Sequence, residues 1–153
     1  MRLRLSGRLV LAALALAACS DSSGPTGPDD LYQANLTKWN TTGPRSYQMV
    51  LTRNCACPVP EVVLMVVQNR VVTSRTFVET GEPVPPGRAA DFPDVPGLFA
   101  LVKQAMDEEA FSYNAAYDPT YGYPYTVYVD FVGSTLTDNV SYAVTEFASL
   151  PQP

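Results

Sequence analysis

Along the chain the hydrophobic pattern changes period several times, and each change marks the boundary of an element. Residues 9–18 form an apolar run behind the basic start Met1-Arg2-Leu3-Arg4-Leu5-Ser6-Gly7-Arg8. Residues 20–28 are Ser, Asp, Gly, Thr and Pro, too polar to offset their own ordering entropy, and they predict a flexible tether. From Asp29-Asp30, whose carboxylates suit the positive end of a helix, Leu31, Tyr32, Leu36 and Trp39 recur near helical spacing until Thr42-Gly43-Pro44 ends the pattern. Trp39 closes that apolar stripe and is expected to be buried between this helix and a sheet.

Period two begins at Tyr47, with Tyr47, Met49 and Leu51 on one side and Gln48, Val50 and Thr52 on the other. A β-branched run over 61–68 and a second strand over 71–79, split by Gln68-Asn69-Arg70, predict a hairpin. Residues 81–96 carry prolines at 83, 85, 86, 93 and 96 and predict a long loop outside the sheet, which either presents a binding surface or covers an edge of the sheet. A second helix follows Asp94, tolerates Pro96 in its first turn and gathers Leu98, Phe99, Val102, Ala105 and Met106 on one stripe. Strands over 111–117, 125–132 and about 140–147 complete the chain, with turns at 118–124 and 133–139.

The predicted order is α-β-β-β-α-β-β-β, and its short connections suit hairpins rather than parallel crossovers. An α+β fold follows: an antiparallel sheet of about six strands with two helices on one face. Each half reads as one helix and three strands, which raises the question of a duplication, although the halves share no convincing residue pattern.

The end of the first apolar run changes its meaning. Leu16-Ala17-Ala18-Cys19 puts small residues and then a cysteine behind a basic and apolar leader, and it resembles the lipobox of bacterial lipoprotein signals. Ten apolar residues are too few to cross about 30 Å of hydrocarbon as a helix. The resemblance implies cleavage after Ala18 and acylation of Cys19 with diacylglycerol and palmitate. The expected organisation is a signal peptide at 1–18, a tether at 19–28 and a single domain at 29–150. The expected address is the bacterial cell envelope, facing the periplasm or the exterior, with the lipid on Cys19 as the membrane contact.

Charge narrows the partners. Loss of residues 1–18 removes Arg2, Arg4 and Arg8, which leaves seven basic residues against fifteen acidic ones and moves the formal charge from −5 to −8. No basic cluster is available to neutralise a row of phosphates, so nucleic acid is not an expected partner. The chain has no histidine, which excludes Ser-His-Asp and Cys-His catalysis and histidine-ligated zinc. No Gly-x-Ser-x-Gly motif, phosphate loop or dinucleotide fingerprint is present, so no catalytic residue and no cofactor is assigned, and the balance is against an enzyme.

With Cys19 taken by lipid, Cys55 and Cys57 form a pair in an oxidising compartment. In an extended strand their Cα atoms would lie about 6.6 Å apart with nearly parallel side chains, so a disulfide requires a turn or bulge at Ala56. Two packed thiols and a redox or soft-metal site are the alternatives. A soft-metal site would have to recruit Met49 or Met65, both of which suit a core better, and no metal site is assigned. Asp107-Glu108-Glu109 reads as a solvated run past a helix end rather than a cation site. Among the tyrosines of the last third, Tyr121 and Tyr123 in the 118–124 turn are the expected exposed pair and a candidate binding surface.

Trp39, Ser46-Tyr47 with Leu51, Cys55-Ala56-Cys57-Pro58, Val84-Pro85, Gly97-Leu98-Phe99, Tyr117-Asp118-Pro119-Thr120-Tyr121-Gly122-Tyr123-Pro124 and Asp130 together resemble a family of bacterial secreted lipoproteins classed as a domain of unknown function. The likeness runs from Leu31 to Phe147. It implies a compact α+β envelope domain and lends no catalytic residue. Asn139 stands where the resemblance leads one to expect a second acid after Asp138. The readings that follow are a binding or interaction module for an unidentified envelope protein or ligand, a thiol redox or soft-metal protein using Cys55 and Cys57, and an enzyme inhibitor presenting a sheet face or loop.

Overall fold

The structure, a computed structural model, describes residues 24, 27–56, 59–134 and 139–151. The fold is α+β. Helix α1 (Pro28–Thr42) leads into strands β1 (Tyr47–Asn54), β2 (Glu61–Gln68) and β3 (Val71–Phe77). Helix α2 (Val95–Asp107) then leads into β4 (Ser112–Tyr117), β5 (Pro124–Asp130) and β6 (Val140–Ser149). The six strands form one antiparallel sheet in the order β3-β2-β1-β6-β5-β4.

Alternation along the strands sorts the two faces. Tyr47, Met49 and Leu51 of β1 turn to the same side as Val63, Met65 and Val67 of β2, Val127 and Val129 of β5, and Tyr142 and Val144 of β6, and all are buried. Both helices cover that side: Tyr32 and Trp39 of α1 and Val95, Leu98, Phe99, Val102 and Ala105 of α2 join one core with these strands. The opposite face carries Gln48, Val50, Thr52, Leu64 and Glu146 without a covering layer among the described residues. A bulge between Val50 and Leu51 shifts the β1–β6 register, so that Glu146 faces Val50 while Val144 faces Leu51.

The two helices are built differently. Asp94 caps α2, its Oδ1 accepting the Gly97 N–H at 3.0 Å, and five apolar side chains along one stripe bury that helix against β4 and β5. Helix α1 starts with Pro28 behind Gly27 and buries only Tyr32 and Trp39.

The proline segment differs from its expectation as a loop. Residues 86–91 wind into a 3-10 helix, Pro86–Asp91. Ahead of it, the Phe77 N–H donates to Glu82 O and the Val84 N–H donates to Arg75 O, both at 2.9 Å. The chain therefore turns back along the end of β3 and pairs with residues 75–77 of that sheet edge, which blocks strand addition at that end.

Sheet geometry also answers the question of duplication. Shifting three positions along the sheet carries β1, β2 and β3 onto β4, β5 and β6, but each strand then runs in the opposite direction while the helices stay on the same face. No rotation produces that relation, so the halves are not structural copies of each other.

Candidate functional site

Because α1 stands on two aromatic side chains and not on a continuous stripe, it does not close against α2. A groove of about 500 Å³ lies between the helices. Its apolar wall is Tyr32, Leu36 and Trp39 of α1, Tyr47 and Val67 of the sheet, and Phe99 and Ala100 of α2. A volume in the range of about 300–1,000 Å³ with a mainly apolar wall and a few polar groups is typical of a ligand site.

Ring contacts build the aromatic wall. Trp39 meets Tyr47 edge-on at 5.6 Å between centroids, and Tyr32 meets Phe99 edge-on at 5.8 Å. The Tyr47 hydroxyl accepts the Val95 N–H at 3.3 Å, which ties the groove floor to the start of α2. Burial pushes the Tyr47 phenol above the ordinary tyrosine range and raises that of Tyr32, so both rings stay neutral at physiological pH. At the rim Lys103 is bonded to Asp107, and Gln104 Nε2 donates to Glu108 Oε1 at 3.0 Å.

The Tyr-Asp-Pro-x-Tyr-Gly-Tyr-Pro stretch builds the far side of the same cluster. Asp118 Oδ1 accepts the N–H groups of Thr120 at 3.0 Å and Tyr121 at 2.6 Å, fixing the turn. Gly122 sits at φ +80° with its backbone against α1, where a Cβ would fall 2.7 Å from Asn35 O. Lys38 Nζ donates to Pro119 O. Tyr123 stacks on Phe147 at 4.3 Å and meets Trp39 edge-on at 6.3 Å. The expected exposure of this pair is therefore corrected: Tyr123 is buried, and Tyr121 is half-buried against Phe147 at 5.9 Å. The Tyr123 ring, between Trp39 and Phe147, holds α1 to the sheet.

Cys55 sits just past the end of β1, where Arg53 Nη1 donates to its Sγ at 3.0 Å. Cys57 and Cys19 lie outside the described residues, as does Asp138. Met49 and Met65 face each other across β1 and β2 inside the core, and Cys55 lies six positions along the extended chain from Met49, about 20 Å away. The fold does not bring those methionines to the cysteine. Among the described residues there is no cluster of three or more metal-ligating side chains of the Cys, Asp or Glu type, and no helix is long and apolar enough to cross a membrane. Asn139, with its Oδ1 buried and without a hydrogen-bond partner among the described residues, shares a shallow depression with Cys55 and Tyr128.

Sequence reasoning found the residues of the groove as core candidates but not the groove itself. Tyr32, Leu36, Trp39, Tyr47 and Phe99 all lie on predicted apolar faces, and nothing in their spacing says that two such faces stay apart.

An α+β domain with an aromatic groove between two helices is the class that fold and site define. The chain belongs to a family of unknown function, DUF6174, which matches residues 31–149. No curated protein and no solved structure matches it.

Proposed function

We propose that this protein is a lipid-anchored binding module of the bacterial cell envelope, tethered through Cys19, that takes an apolar ligand in the groove between α1 and α2. The observation that carries the reading is the groove: about 500 Å³ of space walled by Tyr32, Trp39, Tyr47 and Phe99. The leader and Leu16-Ala17-Ala18-Cys19 support the address. In this reading Cys55 and Cys57 form a local structural disulfide, favoured by the oxidising compartment. A thiol redox role would use the same pair, and an inhibitor role would use a loop or the sheet face opposite the helices.

Trp39 is the only tryptophan in the chain and lines the groove, so its fluorescence reports occupancy. Titration with the neutral probe N-phenyl-1-naphthylamine is expected to quench or shift Trp39 emission with saturation. Ala100→Phe, which adds a ring on the exposed α2 rim of the groove, is expected to abolish that saturation while leaving the unfolding transition in place. Saturable binding unchanged by Ala100→Phe would place the ligand elsewhere. For the anchor, Cys19→Ser is expected to move the protein out of the detergent phase on partitioning, because serine cannot form the thioether. Equal membrane recovery of mutant and wild type would refute lipidation.

A further inference from the structure

The groove has a polarity that goes beyond an apolar site. Most of the charged groups on its wall are already engaged within the protein. Asp94 Oδ1 accepts the Gly97 N–H at 3.0 Å, Asp107 is bonded to Lys103, and Glu108 Oε1 accepts from Gln104 at 3.0 Å. Arg70 differs: its guanidinium forms no ion pair and no hydrogen bond among the described residues.

The backbone holds Arg70 at the groove mouth at a cost. Asn69 at φ +50° and Arg70 at φ +67° are the two central residues of the β2–β3 turn. The second of those positions is one that glycine takes without strain and a long side chain does not. The turn is also fastened to the segment entering β1, since the Arg70 N–H donates to Arg45 O at 2.7 Å and the Asn69 N–H donates to Ser46 Oγ at 3.0 Å. The turn thus fixes where Arg70 leaves the backbone, and its exposed, uncommitted guanidinium at the mouth of an aromatic groove offers a charge partner to an anion. Asp107 and Glu108 line the wall at the other end of α2, where an anionic head would be repelled.

Resting on the groove reading above, we infer that the ligand is an anionic amphiphile, its chain along Trp39 and Phe99 and its carboxylate or phosphate on Arg70. The chemistry fits either a free fatty acid or the phosphate of a single-chain lipid, and the test separates them.

The full chain carrying Cys19→Ser, purified without detergent, is titrated with dodecanoate, dodecyl phosphate, dodecan-1-ol and dodecyltrimethylammonium below their aggregation limits, with Trp39 emission as the readout. At least one of the two anions is expected to bind about tenfold more tightly than the alcohol, and the cation more weakly than either. Dodecanoate as the tighter anion would name a fatty acid, and dodecyl phosphate a lipid phosphate. Arg70→Gln is expected to remove the anion's advantage and leave the alcohol unchanged. Arg70→Gly is expected to do the same while raising the thermal midpoint, because it relieves the turn. Equal affinity for anion, alcohol and cation, or anion binding unchanged in both Arg70 variants, overturns the inference and leaves the groove reading standing. No saturable response to any of the four overturns both.

Discussion

Two covers lie over the same face of the sheet, helix α1 toward one end and the 3-10 helix Pro86–Asp91 toward the other, and opposite chemistry holds them down. Under α1 the fastening is aromatic: Trp39 meets Tyr47, Tyr123 and Phe147 edge-on, and Tyr123 stacks on Phe147. Under the 3-10 helix it is ionic. Arg88 Nη2 pairs with Glu61 Oε2 at 2.8 Å, Arg88 Nε pairs with Asp91 at 3.0 Å, and Arg53 Nη1 reaches the same Glu61 oxygen at 3.1 Å. The Arg88 guanidinium also lies 5.5 Å from the centre of the Phe92 ring, and the Tyr142 hydroxyl donates to Asp91 O at 3.0 Å. Rings stack without regard to pH or salt, whereas half-exposed ion pairs depend on both. The difference also shapes the site, because rings used as pillars lift α1 away from α2 and leave the groove.

The largest expected effect comes from removing the central pillar. Trp39→Ala deletes the ring on which Tyr47, Tyr123 and Phe147 converge, and it should cost about 3–5 kcal/mol. Urea unfolding followed by far-ultraviolet circular dichroism measures it without the lost fluorophore. A cost below about 1 kcal/mol would show that α1 does not depend on the aromatic cluster.

Gly122→Ala sharpens the same side of the comparison by a subtler route. The φ of +80° disfavours any Cβ, and the added carbon would meet Asn35 O at 2.7 Å and Lys38 Cβ at 3.0 Å. The left-handed backbone and the clash together should cost about 2 kcal/mol. The expected signature is loss of probe binding in the groove before loss of the sheet, because the clash pushes on α1 alone. A variant with wild-type stability and binding would mean that the turn gives way instead of the helix.

Most elements were legible because their signals are local. Alternation from Tyr47, the β-branched run over 61–68 and the Asp94 start of α2 each need only neighbouring residues, and Trp39 is buried as its stripe implies. What could not be read depends on contacts between distant segments. Tyr123 lies in a stretch rich in turn residues, yet Gly122 lets the chain dip under α1 and carry that ring to Phe147. The prolines of 81–96 signal a break but not the 3-10 turn, which Arg88 stabilises through Glu61, a residue 27 positions earlier. The groove is the plainest case, since it is the gap between two faces that the sequence describes separately.

The smallest effect tests the ionic cover. Hydrogen bonds from Arg88 and Arg53, with their charges, hold the Glu61 carboxyl below the ordinary glutamate range. The sign follows from that lowering. As pH falls, the unfolded chain takes up its proton on Glu61 first, at about pH 4.3, while the folded protein keeps the carboxylate ionised to lower pH. The stabilisation by Glu61 is complete above the unfolded value and is lost as pH falls through the folded one. Glu61→Gln should therefore be less stable than wild type at about pH 6, and the deficit should shrink toward about pH 3. Added salt should shrink it as well, because the pair keeps contact with solvent. The cost of Trp39→Ala should be the same at both pH values and insensitive to salt. Urea midpoints for the three proteins at the two pH values decide the matter: a Glu61→Gln deficit equal at both would mean that shape and hydrogen bonding, rather than the ionised carboxylate, hold the 3-10 helix to the sheet.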